Sequence, residues 1–109
     1  MTDAPVLPST NLTRDQLIAG LRALKPAFVR EGVTHMALFG SRARRDNRPD
    51  SDIDLMIEVD SGRKFSLVEL ARVGHVVEDR IGLPANIFMR RSLKPALLAA
   101  ATRDETVVF

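Results

Sequence analysis

Two aspartates separated by one residue are the most informative chemical feature of the sequence. Asp52 and Asp54 begin the segment Asp52 to Val59, in which polar and apolar residues alternate and which therefore predicts a strand. Side chains two residues apart on a strand point the same way, with Cα atoms roughly 6.6 Å apart. Two carboxylates so placed can bind hard cations such as Mg²⁺ or Mn²⁺, and paired metal ions in phosphoryl chemistry lie about 3.5–4 Å apart. The alternatives are a solvated strand face and pairing of the aspartates with nearby arginines.

A glycine and a serine follow the preceding apolar segment. Gly40 permits a sharp turn and lets a ligand approach the backbone. Ser41 is expected to open a short helical segment ending near Arg45, and its free N–H groups favour phosphate. Taken alone, the dipeptide fits a purely structural turn, which ends a strand and caps a helix, at least as well as it fits a phosphate-binding turn. A Walker phosphate loop is excluded because no Gly-Lys-Ser/Thr follows.

A calcium-binding EF-hand is a specific alternative for the acidic residues. Asp50, Asp52 and Asp54 have the spacing of its first ligands. However, Leu55 stands where the loop requires glycine, and Ser61 stands where it requires a bidentate glutamate. The sequence therefore excludes an EF-hand.

Together, the turn and the paired aspartates resemble the signature of the polymerase-beta-like nucleotidyltransferases, and most closely the minimal nucleotidyltransferases of prokaryotes. The similarity runs from Thr34 to Phe109 and includes GSRAR at 40–44 and SDIDL at 51–55. It implies an α/β (α+β) fold with a small mixed β-sheet flanked by helices. It also implies that Asp52 and Asp54 bind Mg²⁺ or Mn²⁺. Four residues are implied to hold ATP or another nucleoside triphosphate: Gly40, Ser41, Arg42 and Arg44. The two arginines are implied to neutralise phosphate charge.

The sequence departs from the family pattern at the third acidic position. The family has an apolar-Asp-apolar triplet on the next strand, and the corresponding residues here are Ala85, Asn86 and Ile87. An amide can offer an oxygen to a metal but cannot act as a general base, which typically contributes on the order of 10²–10⁴ in rate. Glu58 lies roughly 13 Å along the strand from Asp54, too far to share a metal directly. A milder departure is Arg45, where family members often have glycine.

The resemblance implies one function, and the departure at Asn86 leaves an alternative. The first is Mg²⁺-dependent transfer of a nucleoside monophosphate, AMP from ATP, to a hydroxyl of a protein or RNA acceptor. The implied partner is a HEPN-type ribonuclease toxin modified on tyrosine, with this chain as its antitoxin in a hetero-oligomer. The second is a catalytically impaired module that binds a nucleotide or the partner and neutralises the partner by occlusion. Asn86 is the residue that distinguishes the two.

The elements that must position these residues follow from helix caps and apolar spacing. The order predicted is helix, strand, short helix, strand, helix, strand, helix and a terminal strand over 106–109. A capping box at 13–16 starts the first helix, which Pro26 should kink or end. Strands are expected at 34–39, 52–59 and 84–89, and Gly32 and Gly82 are expected to end helices. Such alternation indicates an α/β domain.

Several finer expectations concern packing. A second capping box, at 66–69, starts a helix that ends at Gly82. Met56 is expected on the polar face of its strand, Ser92 is expected to cap a last helix through Arg103, and Arg90 and Arg91 are expected to face solvent. The inward positions predicted for the helix after Ser66 are Leu67, Leu70, Ala71, Gly74, Val77 and Ile81.

Composition limits the remaining possibilities. The 109 residues are predicted to form one domain over 12–109 after a flexible leader at 1–11. The absence of cysteine excludes disulfides and cysteine-based zinc sites. A net charge of +2 and the lack of Trp and Tyr argue against a nucleic-acid partner but do not exclude one. No apolar run approaches the roughly 20 residues of a membrane span, so a cytoplasmic location is expected. The short length suggests that another molecule supplies the acceptor.

Overall fold

The structure is a computed structural model, and it describes residues 12–109. The predicted leader at 1–11 lies outside the described residues. The elements in chain order are α1 (Arg14–Ala23), α2 (Lys25–Glu31), β1 (Val33–Phe39), α3 (Ser41–Arg44), β2 (Ile53–Val59), α4 (Leu67–Ile81), β3 (Ala85–Met89), a 3₁₀ turn (Arg90–Ser92), α5 (Pro95–Asp104) and β4 (Thr106–Val107).

The four strands form one mixed sheet in the order β3-β2-β1-β4. Strand β1 is antiparallel to both β2 and β4, whereas β2 and β3 are parallel and are joined through α4. Helices pack on both faces of this sheet. The predicted class, a small mixed sheet flanked by helices, is therefore confirmed.

The first predicted helix is divided in two. The capping box is present, because Thr13 accepts from the Gln16 backbone N–H and the Gln16 side chain accepts from that of Thr13. The break falls at Leu24, and Pro26 lies in the first turn of α2. A proline is tolerated there because the N–H groups of a first turn have no intrahelical partner. Pro26 thus marks the beginning of a second helix, and α2 ends at Gly32 as predicted.

The larger core lies between one face of the sheet and helices α1, α2 and α4. Helix α4 contributes Val73, Val77 and Ile81 to it. The predictions that Leu67 and Ala71 point inward are wrong, since Leu67 is 81% exposed and Ala71 is exposed as well. Leu67 instead borders an open groove of about 440 Å³ between α4 and the edge strand β3. The core members contributed by α1, α2 and β2 are Leu17, Ile18, Leu21, Phe28, Ile53, Leu55 and Ile57.

A smaller apolar cluster lies on the opposite face of the sheet, under α5. Phe39, Met56 and Ala101 are its buried members. Met56 lies on the same face of β2 as Asp54, as predicted, but α5 covers the sheet at this point, so this part of the face is buried. Asp54 lies two residues before Met56 on the same face of β2 and is only half-buried. The face is thus apolar beneath α5 and polar towards the start of β2.

The predictions for Ser92 and Arg90 are also corrected. Ser92 lies in the 3₁₀ turn, and α5 begins at Pro95 without a side-chain cap. Proline needs no partner for a missing N–H and has a φ suited to a first helical residue. Arg90 does not face solvent, because it pairs with Glu58 at 3.3 Å and Glu105 at 2.7 Å.

Within residues 12–109, no helix is both long enough and apolar enough to cross a membrane.

Candidate active site

Strands β2 and β3 bring together three predicted site residues. The parallel register places Asp54 of β2 beside Asn86 of β3. The Asn86 side-chain nitrogen Nδ2 donates hydrogen bonds to Asp54 Oδ1 at 2.9 Å and to Asp52 Oδ2 at 3.2 Å. Asp52 and Asn86 are exposed and Asp54 is half-buried, so the group is open to a ligand. Both carboxylates therefore converge on one amide at the start of β2.

Gly40 closes this site from the side of β1. The antiparallel register pairs Phe39, the last residue of β1, with Asp54, so the following turn lies against that carboxylate. Gly40 has φ 77° and ψ −157°, a conformation that residues with a Cβ rarely adopt. A Cβ added there would lie 2.6 Å from Asp54 Oδ2, which is closer than van der Waals contact allows. Only glycine fits, for conformational and steric reasons together.

Ser41 is the first residue of α3 and is half-buried. The backbone N–H groups of Ala43 and Arg44 donate to the Gly40 carbonyl at 3.1 and 3.0 Å. These two donors are thereby occupied within the turn. A phosphate group at this turn would therefore depend on the backbone of Gly40 and on the polar groups of Ser41.

Arg42 is placed differently from the prediction that it faces phosphate. Its side chain is only 2% exposed, and its guanidinium donates to the carbonyls of Ser51 at 3.0 Å and Pro49 at 3.1 Å. Burial lowers the pKa of Arg42, and the negative charge of Asp50 opposes that effect. Arg42 therefore holds the segment that leads directly into Asp52.

Arg44 is the more accessible of the two arginines. It donates to Asp46 at 3.0 Å and to Asp104 of α5 at 2.9 Å, and its side chain is 46% exposed. These hydrogen bonds, that with Asp46 first, raise the pKa of Arg44. Ion pairs exposed to solvent are readily exchanged for other partners. Arg44 is thus the predicted phosphate-binding arginine whose present contacts a ligand could replace.

The oxygen atoms of this group fit a hard divalent cation. Mg²⁺ and Mn²⁺ prefer carboxylate and carbonyl oxygens, which Asp52 and Asp54 supply directly. Asn86 can supply an amide oxygen only if its side chain turns over, because its nitrogen faces the carboxylates. Across residues 12–109, no cluster of three or more His, Cys, Asp or Glu side chains could hold a metal ion. The residues present therefore fit a cation with two carboxylate ligands.

Sequence reasoning missed two features of the site. One is the double hydrogen bond from Asn86, which depends on the register between β2 and β3. The other is the pair of hydrogen bonds from Arg42 to the backbone of residues 49–51, which forms because Arg42 is buried. A charged residue within a run of arginines gives no signal of burial, whereas the apolar neighbours Ala85 and Ile87 do indicate the strand that carries Asn86.

The nucleotidyltransferase domain family model matches residues 21–108. This match covers most of the chain, and the chain therefore belongs to the nucleotidyltransferase family of enzymes. The architecture and the arrangement around Asp52 and Asp54 agree with that membership.

Relatives within the family carry a more specific name. The protein adenylyltransferase MntA of Thermococcus cleftensis is 28% identical over 98 residues, covering 89% of this chain and 97% of that protein. A Methanocaldococcus jannaschii protein assigned by name to the same activity is 32% identical over 76 residues, covering 70% of this chain and 80% of the relative.

Solved structures show the same fold. A minimal nucleotidyltransferase of known structure superposes with a TM-score of 0.74 at 30% identity, covering 89% of this chain and 97% of that one. An MNT antitoxin in complex with a tri-AMPylated HEPN toxin of Shewanella oneidensis gives a TM-score of 0.65 at 11% identity, covering 89% and 72% of the two chains. The second likeness concerns the fold alone.

Proposed function

We propose that this protein transfers AMP from ATP to a hydroxyl group of a HEPN-type partner protein. The observation that supports this most directly is the convergence of Asp52 and Asp54 beside Gly40. The relatives named as protein adenylyltransferases support AMP as the transferred group. The structural neighbours in toxin–antitoxin complexes support a HEPN-type protein as the partner.

In this proposal, Asp52 and Asp54 hold the divalent cation, Mg²⁺ or Mn²⁺. When bound, such an ion offsets the negative charge that develops around the reacting phosphorus. Gly40 and Ser41 hold the triphosphate, and Arg44 exchanges an aspartate partner for a phosphate oxygen. Arg42 acts indirectly, by fixing the segment before Asp52.

The transfer forms one bond and breaks one. The acceptor oxygen bonds to the α-phosphorus of ATP, and the bond from that phosphorus to the oxygen bridging the β-phosphate breaks. Pyrophosphate leaves, and the hydroxyl proton passes to water because the Asn86 amide cannot accept it. The residues of this site contribute mainly by positioning the reactants and neutralising charge, as is general for phosphoryl chemistry.

A second function is favoured by the presence of Asn86 in place of a carboxylate. A site without a third acid lacks a general base, which typically contributes on the order of 10²–10⁴ in rate. The chain would then bind a nucleotide or its partner and neutralise that partner by covering it. In both cases the protein acts within a hetero-oligomer. The domain limits 12–109 and a cytoplasmic location remain predictions.

Labelled ATP tests the proposed transfer. The purified protein is incubated with Mg²⁺, α-labelled ATP and the helical protein encoded by the neighbouring gene, and label on the partner is measured. We expect label transfer that is lost in Asp52→Asn and in Asp54→Asn. Asp79→Asn is the matched control, because Asp79 is an exposed aspartate on α4. Tight partner binding without any transfer supports occlusion, and transfer unaffected at both aspartates contradicts the proposed site.

A further inference from the structure

The side-chain amide of Asn86 contacts both site carboxylates at once. One N–H group of Nδ2 is directed to Asp54 Oδ1 at 2.9 Å and the other to Asp52 Oδ2 at 3.2 Å. Two carboxylates on neighbouring same-face positions repel each other. The partial positive charge of the amide hydrogens between them reduces that repulsion. Asn86 therefore does in part what a cation does when it binds between carboxylates.

The orientation of this amide follows from its surroundings. If the group were reversed, its oxygen would face two carboxylate oxygens, and no hydrogen would lie between the three acceptors. With the nitrogen inward, each of its two hydrogens has an acceptor. The arrangement is thus the favourable one for as long as Asp52 and Asp54 share no cation, and it directs hydrogen-bond donors towards the space that cations would enter.

The oxygen ligands around the site also distinguish one cation from two. Asp52 and Asp54 supply two carboxylates, and a single divalent ion can take oxygens from both. A carboxylate in place of Asn86 would add a third negative charge and further oxygen ligands, as a second ion requires.

We propose that Asn86, which occupies the position where a carboxylate would add ligands for a second ion, limits this site to one divalent cation beside the nucleotide. The inference rests on the proposed function to the extent that a nucleotide must bind here. It goes further by stating how many ions the site holds and which residue sets that number. The chain would then differ from nucleotidyltransferases that carry a third carboxylate in ion number as well as in rate.

Manganese counting tests this inference without any turnover. The full chain is equilibrated with Mn²⁺ and a non-hydrolysable ATP analogue, and the ions bound per chain are counted by dialysis. Electron paramagnetic resonance then detects coupling between paired ions, which lie about 3.5–4 Å apart in two-metal sites. We expect one Mn²⁺ and no coupling for the native chain, and two coupled ions for Asn86→Asp. Asn86→Ala, which removes the donors without adding charge, should retain one ion.

The outcomes separate this inference from the proposed function. Coupled ions in the native chain overturn it, as does a native chain that binds no Mn²⁺, and so does a folded Asn86→Asp chain that holds only one. If Asn86→Asp does not fold, as judged by circular dichroism, the native count still decides the first part of the claim. One ion without label transfer contradicts the proposed function alone, whereas two ions with transfer contradict this inference alone.

Discussion

Gly40 combines an unusual backbone conformation with direct proximity to a site carboxylate. Because its φ is positive and an added Cβ would lie 2.6 Å from Asp54 Oδ2, Gly40→Ala must shift the turn or the carboxylate. Residues held in such backbone regions cost about 1–3 kcal/mol. We expect a comparable loss in the free energy of unfolding, measured by denaturant titration, together with weaker Mn²⁺ binding.

Gly74→Ala is the matched control for that substitution. A Cβ at Gly74 would lie 3.8 Å from Ile87 Cγ1, which is ordinary contact, and the residue is inside helix α4. Alanine is favoured over glycine in a helix by roughly 0.5–1 kcal/mol, so this variant should be more stable than the native chain. Similar destabilisation by both alanines would contradict the account of Gly40.

Arg45 provides a second prediction at the residue scale. It ends α3 with φ 66° and ψ 24°, and Arg45 is the one non-glycine residue with positive φ in the part of the chain that the structure describes. A left-handed conformation costs an L-residue roughly 1–2 kcal/mol. Arg45→Gly should therefore raise the melting temperature, whereas Arg45→Ala, which keeps the Cβ, should not. An equal rise in both variants would indicate that removal of the arginine charge is the cause.

The positions of most site residues relative to one another were predictable from residue type and spacing. Asp52, Asp54 and Gly40 were singled out by residue type and by position after apolar segments, and the structure brings them together. The apolar neighbours of Asn86 predict its strand, and the family resemblance singles out Asn86 itself. The location of Arg42 was not predictable, because a guanidinium is buried only when backbone carbonyls surround it, and those carbonyls belong to a loop without regular structure.

At the scale of elements, the start of α4 depends on a charged capping box. The Ser66 hydroxyl and backbone N–H both donate to Glu69, and these hydrogen bonds, the side-chain one first, lower the pKa of Glu69 from 4.5 to about 2. Because the pKa falls on folding, the stabilisation is complete above about pH 4.5 and is lost as the pH falls towards 2. Glu69→Gln cannot ionise, so its difference in stability from the native chain should shrink over this range. Urea unfolding at several pH values measures it, and a difference independent of pH would contradict the assignment.

The conformation of the loop before β2 is stabilised by hydrogen bonds from Arg42. A lysine has a single ammonium group and cannot reproduce the two guanidinium contacts to Ser51 and Pro49. Leaving a buried acceptor without a partner costs about 1–3 kcal/mol, so Arg42→Lys should lower stability by that order and weaken Mn²⁺ binding at Asp52. Arg44→Lys is the control, since Arg44 is exposed, and should change the melting temperature little. An Arg42→Lys chain as stable as the native chain would show that Arg42 acts through its charge alone, since lysine keeps that charge.

Element limits were predicted more accurately than packing faces. The capping boxes at Thr13 and Ser66 gave the starts of α1 and α4 because their hydrogen bonds are local. The exposure of Leu67 was missed because it depends on where the sheet ends. Strand β3 is an edge strand, so the first turn of α4 lies beside a groove and has no further strand to cover it.

For the molecule as a whole, the sheet order is what assembles the site. The central strands β1 and β2 carry Gly40 and the aspartates to one place, and the parallel strand β3 adds Asn86 after the α4 crossover. The alternation of helices and strands predicted the α/β class but not the strand order, which depends on long-range pairing. Family membership, shown by the match over residues 21–108, agrees with the resemblance inferred from two short motifs.

The rate of AMP transfer by the native chain and by Asn86→Asp tests the central claim most directly. Both proteins are incubated with α-labelled ATP, Mg²⁺ and the proposed HEPN-type partner, and initial rates are compared. We predict measurable transfer by the native chain and a rate higher by on the order of 10²–10⁴ for Asn86→Asp, since a third carboxylate can act as a general base. Asp54→Asn should abolish transfer in both. A native chain that transfers no label, while Asn86→Asp does, would contradict the account and identify the protein as a module that neutralises its partner by occlusion.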